Sequence, residues 1–398
     1  MTEVKTRTKL AEVKALMEGD GDYLRTMVQS IVQATLEAEM ADAIGAEKSE
    51  RTGSRVGYRS GYYGRSLVTR VGVLELRVPQ DRQGKFSTDL FARYQRSEKA
   101  LVSALAEMYV QGVSTRKVKA ITEELCGHEF SASAVSEINK RMDQDLSAFC
   151  GRKLDEAYPY LILDARYERV REAGVIASQA VLVAVAVDGE GRRQVLGVEM
   201  ASRESRSSWR DFLEGLKARG LHGVEFVVSD DHPGLKAAIR EVLPEAHWQR
   251  CYVHFLRNAL DYLPRRHDDD CLQELRWIYD RRDAAEVRRD LAQWLSKWQA
   301  KYPKLTSWAE DNIEETLTYY RLPLAHHKHM KSTNMLERLN QEFKRRSHVV
   351  RIFPNTQSCL RLIRALAVET HENWLEATRY LNMEHLKEHK KQTLKMAA

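Results

Sequence analysis

The strongest restriction on how this chain can fold lies between residues 158 and 251, where short apolar runs follow one another in a definite order. "YPYLILDARY" reads as a strand, and "SQAVLVAVAVDGEGRRQVLGVEMA" as two more joined by a turn at Asp188 to Gly191. An amphipathic helix follows in "SSWRDFLEGLKARG", closed by Gly220; then come a fourth strand, "VEFVVS", and a helix begun by Pro233 in "HPGLKAAIREVL". "EAHWQRC" predicts a short fifth strand. The order is β-β-β-α-β-α-β. Three strands linked by short turns and then alternating units predict an α/β fold: a mixed sheet with helices on its faces.

Before that segment the texture differs. Residues 23–47 repeat apolar side chains at helical spacing. "RTGSRVGYRSGYYGR" (51–65) has four glycines, three tyrosines and four arginines without apolar periodicity, and reads as an irregular basic loop. "SLVTRVGVLELRVPQDRQG" then predicts a hairpin. Residues 98–145 predict three helices: one stopping at Gly112, one capped by Ser114 and stopping near Gly127, and one capped by Ser131 or Ser133. A helix, a glycine turn and a Ser-capped helix carrying Lys140 and Arg141 suit a helix-turn-helix, with Lys117, Lys140 and Arg141 as candidate DNA contacts. After the sheet segment, residues 252–325 predict helix throughout, "STNMLERLNQEFKRR" a last helix, and "HLKEHKKQTLK" a mobile basic tail.

Composition narrows the function classes. The net charge is +6, a mild bias toward a polyanionic partner. No apolar run approaches the roughly 20 residues needed to cross a bilayer. The N-terminus has no secretory pattern, and five scattered cysteines without C-x-x-C fit a reducing cytoplasm better than a disulfide framework.

Chemistry enters with two aspartates, Asp164 in "LILD" and Asp230 in "VVSD", each expected at a strand end, where open α/β folds place ligands. Ionised carboxylates meeting there repel one another unless a cation holds both, and Mg²⁺ suits such a donor set. On the helix of "STNMLERLNQEFKRR", Leu336, Leu339 and Phe343 form an apolar stripe. Glu342 borders the stripe and Glu337 points away from it, so helix geometry alone leaves the choice between them open. Cys251 and His254 share a helix face in "CYVHFLRN", with too few neighbouring ligands for a zinc site.

Six words carry a family resemblance: "RYQRSEKALVSALAEMYVQGVSTRKVKAITEELCG", "LILDARYERVRE", "SSWRDFLEGLKARGL", "VVSDDHPGLKAAI", "WQRCYVHFLRN" and "STNMLERLNQEFKRR". In this order, over most of the chain, they resemble the Mutator-type transposases of bacterial insertion sequences, DDE enzymes with a ribonuclease-H-like core. The resemblance implies such a core interrupted by an all-α insertion and preceded by a helix-turn-helix DNA-binding region. The implied division is 1–95 (helical and basic loop/hairpin), 96–150 (helix-turn-helix), 155–251 (core), 252–325 (insertion), 326–370 (core with the glutamate helix) and 371–398 (tail).

It further implies that Asp164, Asp230 and Glu337 are the catalytic acids and hold two Mg²⁺ or Mn²⁺ ions. Asp231 is then the neighbour, solvated or capping the helix at Pro233. His232, Asn334, Cys251 and His254 become possible accessory residues, and Arg257, Arg338, Lys344 and Arg345 become contacts to the DNA backbone beside the site. The implied partners are double-stranded DNA, as terminal inverted repeats and as target, and at least one further copy of the chain; no membrane is involved, and the place of action is the bacterial cytoplasm, on the nucleoid. A metal-dependent nuclease or resolvase of the same fold, and a DNA-binding protein without catalysis, are the competing classes.

Overall fold

The computed structural model describes residues 23–397, apart from 54, 85, 92–94, 114 and 265–268. The chain divides into two units, Met1–Arg141 and Met142–Ala398. In the first, helix α1 (Tyr23–Ile44) lies on a hairpin of β1 (Arg59–Thr69) and β2 (Gly72–Asp81). Leu36 of the helix meets Leu67, Leu74, Leu76 and Val78. Gln33 supplies the edge of β2 with the two hydrogen bonds a neighbouring strand would make: its Nε2 donates to the Arg77 carbonyl at 2.8 Å, and its Oε1 accepts the Arg77 N–H at 2.9 Å.

One expectation changes here. The basic segment 51–65 is not loop throughout, because its second half, from Arg59, is strand. Burial is full only from Leu67 to Thr69, so the ladder to β2 makes the strand where no apolar pattern announces it. Gly61, at φ 112°, sits at the register shift that starts the pairing.

Helices α2 (Lys99–Val110), α3 (Thr115–Cys126) and α4 (Ala132–Lys140) pack around Leu105, Val118 and Val135. The Ser131 hydroxyl accepts the Ala134 N–H at 3.1 Å and so caps α4. Ser114, expected to cap α3, lies outside the described residues.

The second unit opens with α5 (Asp143–Gly151) and is built on a five-stranded mixed sheet of order β5-β4-β3-β6-β7. Strands β3 (Tyr160–Glu172), β4 (Val175–Val187) and β5 (Arg193–Ala201) run antiparallel; β6 (Phe226–Ser229) and β7 (His247–Arg250) join parallel to β3. Alternation along the strands sorts the two faces. Leu161 and Leu163 of β3, with Ala180, Leu182 and Ala184 of β4, pack under α6 (Arg206–Ala218) and α7 (Pro233–Val242) through Trp209, Phe212, Leu235 and Ile239.

The opposite face carries Tyr160, Ile162 and Asp164. It meets α12 (Leu324–Met330), α13 (Asn334–Val350) and α14 (Thr356–Glu376), for example through a 2.7 Å hydrogen bond between the Tyr160 hydroxyl and His326.

The segment after β7 is helical as expected: α8 (Tyr252–Ala259), α9 (Asp269–Ile278), α10 (Ala284–Trp298) and α11 (Pro303–Asn312). Buried Gln249 of β7 ties it to the sheet by donating to the Thr316 carbonyl at 2.7 Å and accepting the Tyr319 N–H at 2.8 Å.

The end of the chain departs from expectation. Helix α13 is not the last; α14 and α15 (Glu384–Ala397) follow it, so the basic tail is helical. Leu381, Met383 and Leu386 are buried, and the Tyr380 and Leu381 N–H groups donate to the Gly191 carbonyl at 2.8 and 3.2 Å. Gly191 is required there: its φ is 83°, and a Cβ would stand 1.9 Å from the Leu381 oxygen. Among the described residues no helix is long and apolar enough to cross a membrane, and all five cysteines are free.

Candidate active site

The position of Asp164 follows from the strand register. Strand β3 does not end at this residue, as expected from sequence; it continues to Glu172 because β4 pairs with it as far as Glu172↔Val175. Its parallel neighbour β6 stops at Ser229, with Ile162 opposite Val228. Two residues on from that pair, Asp164 and Asp230 come alongside each other where the parallel ladder gives out.

Asp164 is buried. One carboxylate oxygen accepts the Ala165 N–H at 2.9 Å and the other the Asn340 side-chain amide at 2.7 Å. Burial pushes its proton affinity up to about 7; His254 pulls it down and the charge of Asp230 raises it further. Asp230 is half-buried and accepts the His232 N–H at 3.2 Å.

The neighbouring aspartate turns elsewhere. Asp231, still partly exposed, does not cap the helix: its carboxylate meets Arg250 at 2.9 Å and Lys236 at 3.6 Å. Arg250 is almost fully buried, so Asp231 is its counter-ion. His232 occupies the cap position of α7 without a capping side-chain bond, its Nδ1 3.5 Å from Glu204. Glu204 also accepts the Trp209 indole N–H at 2.9 Å. Burial raises its proton affinity, the Trp209 bond lowers it and the charge of Asp230 raises it, so Glu204 is a further carboxylate in the neighbourhood of Asp230.

Glu337 stands in the first turn of α13, its N–H donating to the Thr333 carbonyl at 2.9 Å. Its carboxylate lies 3.4 Å from Arg257 and 3.9 Å from His254, both on α8. Burial works against a proton on His254. The Cys251 sulfur, then Asp164 and Asp230, outweigh it and hold the imidazole up at about 9. His254 thus lies 3.9 Å from Glu337, with Asp164 and Asp230 near enough for their charges to favour its protonated form. Its Nδ1 is buried beside that sulfur without a well-formed hydrogen bond. Glu342, the other candidate on the helix, faces outward to Arg345 at 2.9 Å.

Among the described residues no three His, Cys, Asp or Glu side chains stand close enough to share one ion. The donor chemistry nevertheless fits a hard divalent cation: two adjacent carboxylates, one of them buried with a proton affinity raised by burial and by its neighbour, and a third held by cationic side chains of α8. The Cys251 sulfur is turned to Thr333, at 3.3 Å from its N–H.

The remaining candidates spread out. Asn334 is exposed at the start of α13. Arg257, Arg338, Lys344 and Arg345 are exposed along α8 and α13, whereas Arg346 beside them is buried. Lys117, Lys140 and Arg141 are exposed in the other unit, Lys140 paired with Glu137 at 2.9 Å. Sequence reasoning missed Glu204 and Asn340. The second was accessible, because Asn340 lies three residues after Glu337 and therefore on the same helix face.

The chain matches the family described as "Transposase, Mutator family" over residues 1–377. It is 69% identical to the transposase for insertion sequence element ISRM5 of Rhizobium meliloti (strain 1021), covering 100% of both chains. Identity is 42% to the transposase for insertion sequence element IS406 of Burkholderia multivorans, over 95% of this chain and 98% of the relative. It is 39% to the transposase for insertion sequence element IS256 in transposon Tn4001 of Staphylococcus aureus, over 96% of this chain and 100% of the relative. A solved Mos1 transposase paired-end complex with left transposon end resembles 56% of this chain and 82% of its own, at 15% identity and a TM-score of 0.17, too loose a likeness to carry the fold.

Proposed function

Because the chain belongs to the Mutator family of transposases, we propose that it moves an insertion sequence by a DDE mechanism: it binds the terminal inverted repeats, cuts the DNA there and joins the freed ends to a target. The observation that supports this reading is that Asp164 and Asp230 follow the last paired residues of the β3–β6 ladder, with the Glu337 carboxylate, on α13, 3.9 Å from His254 beside them. The mixed sheet and its element order support reading residues 155–251 as a ribonuclease-H-like core.

Asp164, Asp230 and Glu337 would hold two divalent cations, Mg²⁺ or Mn²⁺. Bound there, such ions supply activation of the attacking oxygen and neutralisation of charge on the phosphodiester. In the cut, water adds to phosphorus and the bond to the 3′ oxygen breaks, leaving a 3′-hydroxyl. In the joining, that hydroxyl attacks a target phosphodiester, one P–O bond forming as another breaks, with no covalent link to the protein.

The chain itself positions the reactants. Asn340 fixes the rotamer of Asp164. His254 and Arg257 hold the Glu337 carboxylate, and with a divalent cation bound Glu337 would be one of its donors. Exposed Arg257, Arg338, Lys344 and Arg345 line the approach of the backbone, and Lys117, Lys140 and Arg141 on the α2–α4 helices serve a helix-turn-helix that reads the repeat. Pairing two ends takes at least two copies of the chain, working on the nucleoid in the bacterial cytoplasm.

The test offers duplexes carrying the element's ends, pre-cut with a free 3′-hydroxyl, to the wild-type protein and to Asp164→Asn with Mg²⁺. Joined product from the wild type alone is expected. Cutting without joining would make the protein a nuclease, and equal joining by the variant would remove the acids from the mechanism.

A further inference from the structure

We propose that Cys251 is a positioning residue that sets where Glu337 stands relative to Asp230, by clasping the first turn of α13 to the end of the β6–β7 ladder. The inference rests on the reading of Asp164, Asp230 and Glu337 as the catalytic acids.

Cys251 lies one residue beyond β7, as Asp230 lies one residue beyond β6. The Cys251 N–H donates to the Ser229 carbonyl at 2.8 Å, which extends the parallel ladder by one bond past the Ser229↔Arg250 pair. The backbone of Cys251 is therefore locked to the residue that precedes Asp230. Its side chain reaches to the start of α13. The sulfur accepts the Thr333 N–H at 3.3 Å and the Thr333 hydroxyl at 3.4 Å. The Thr333 carbonyl in turn accepts the N–H groups of Leu336 and Glu337 at 2.8 and 2.9 Å. A second strap runs parallel to the first, from the Tyr252 N–H to the Lys331 carbonyl at 3.1 Å.

The chemistry of Thr333 shows that this contact is built. A threonine at a helix cap ordinarily turns its hydroxyl to the free N–H groups of its own helix. Thr333 occupies that position on α13 and makes no such bond. Its N–H and its hydroxyl both go to one sulfur, and both Cys251 and Thr333 are fully buried. Sulfur is a weak acceptor, so the contact is a poor way to gain stability. Its effect is geometric: the path from Asp230 to Glu337 runs through Ser229, Cys251 and Thr333, without a loop between them. One turn further along α8, on the same face, His254 approaches the Glu337 carboxylate at 3.9 Å. A displacement of about 1 Å at a reacting group can cost about 10²-fold in rate, so a spacer of this kind matters to catalysis out of proportion to its energy.

The experiment compares Cys251→Ala, Cys251→Ser and Thr333→Val with Cys359→Ala, which empties an equally buried cysteine position on α14. Each full-length variant is measured for melting temperature, Mg²⁺ binding by calorimetry, affinity for a duplex carrying the element's end, and kcat and KM for cutting it. Expected for Cys251→Ala and Thr333→Val are a melting temperature and DNA affinity like those of Cys359→Ala, Mg²⁺ binding weakened about tenfold, and a kcat lowered about 10–100-fold at unchanged KM.

Cys251→Ser keeps an acceptor and should recover most of both losses. Wild-type Mg²⁺ affinity and kcat in Cys251→Ala, or a serine variant no better than alanine, overturns the proposal. Should Cys251→Ala fail to fold, Thr333→Val decides by the same two readouts. Glu337→Gln separates the two levels of argument. An inactive Glu337→Gln beside an unimpaired Cys251→Ala removes the positioning role alone, whereas an active Glu337→Gln removes the acid assignment and this inference with it.

Discussion

The two acids of the sheet and the acid of the helix are held by different kinds of structure. Asp164 and Asp230 take their spacing from main-chain register: β3 is paired on both sides through Ile162, and β6 delivers Asp230 as its ladder ends. Helix α13 has no ladder along its length: main-chain bonds reach it just outside its two ends, from Tyr252 to Lys331 and between Phe353 and both Arg169 and Arg171. It is held by its apolar stripe, by Asn340 on Asp164, by Ser347 donating to Glu168 at 3.1 Å, and by the Cys251–Thr333 contact. A ladder can shift only by whole residues, because a slip of one turns every side chain to the other face. A helix on side-chain contacts can move by fractions of an ångström. The difference teaches that the sheet supplies a rigid pair of carboxylates, and that the third is the one substitutions can displace without unfolding the protein.

The largest effect should come from the rigid pair. Asp164→Asn should lower cutting and joining by about 10³-fold or more while the protein still folds, since a neutral amide is easier to bury than a carboxylate. Assays of both steps with a melting curve check it; activity within about tenfold of wild type would break the contrast. Next, Phe343→Ala empties a fully buried position on α13 and should cost about 3–5 kcal/mol in chemical denaturation. Residual cutting in the still-folded fraction should fall as well, because the helix that carries Glu337 loses its seat.

The helical cover also predicts a pH dependence. Burial, with the charge of Arg152, depresses His371 to about 4, and its Nδ1 accepts the Val195 N–H of β5 at 3.3 Å. A depressed histidine binds its proton more readily in the unfolded chain. Stability should therefore be intact above the unfolded value near 6.5 and fall as pH drops from there toward 4, by up to about 3 kcal/mol. Denaturation at several pH values checks this, and His371→Gln should flatten that window.

Smaller still, Asn340→Ala should reduce turnover and Mg²⁺ affinity by about 10–100-fold with little change in melting temperature. The smallest effect is expected at the surface. Arg345→Ala breaks an exposed pair with Glu342 and should move stability by less than about 0.5 kcal/mol. It should weaken DNA binding measurably at low salt, and equal binding across a salt series would remove Arg345 from the DNA contact set.

Much of the second unit was legible in the residues, because continuous apolar runs punctuated by glycine and proline leave few alternatives to buried strands and covering helices. Both aspartates stood out for the same reason, as carboxylates set against such runs. The basic segment misled because β1 has no fully buried residue before Leu67, and a backbone ladder leaves no mark on side-chain periodicity. The charged C-terminal segment misled in the opposite sense: Leu381, Met383 and Leu386 are too few to announce a helix, yet enough to bury one end of it.

Local sequence determined the elements, their order and the two aspartates, since hydrophobic pattern and turn chemistry act over a few neighbouring residues. The family words had already singled out Asp230 and Glu337; the folded chain added that Asp231 meets Arg250, that Glu337 lies near His254 while Glu342 meets Arg345, and that Asn340 bonds Asp164 and Cys251 bonds Thr333. Those outcomes depend on which groups become neighbours across long separations in sequence. Arg250 takes Asp231 because burial and charge are settled pairwise in space, and no local pattern encodes that pair, whereas Arg345 and Glu342, three apart on one helix, are neighbours that the sequence itself dictates.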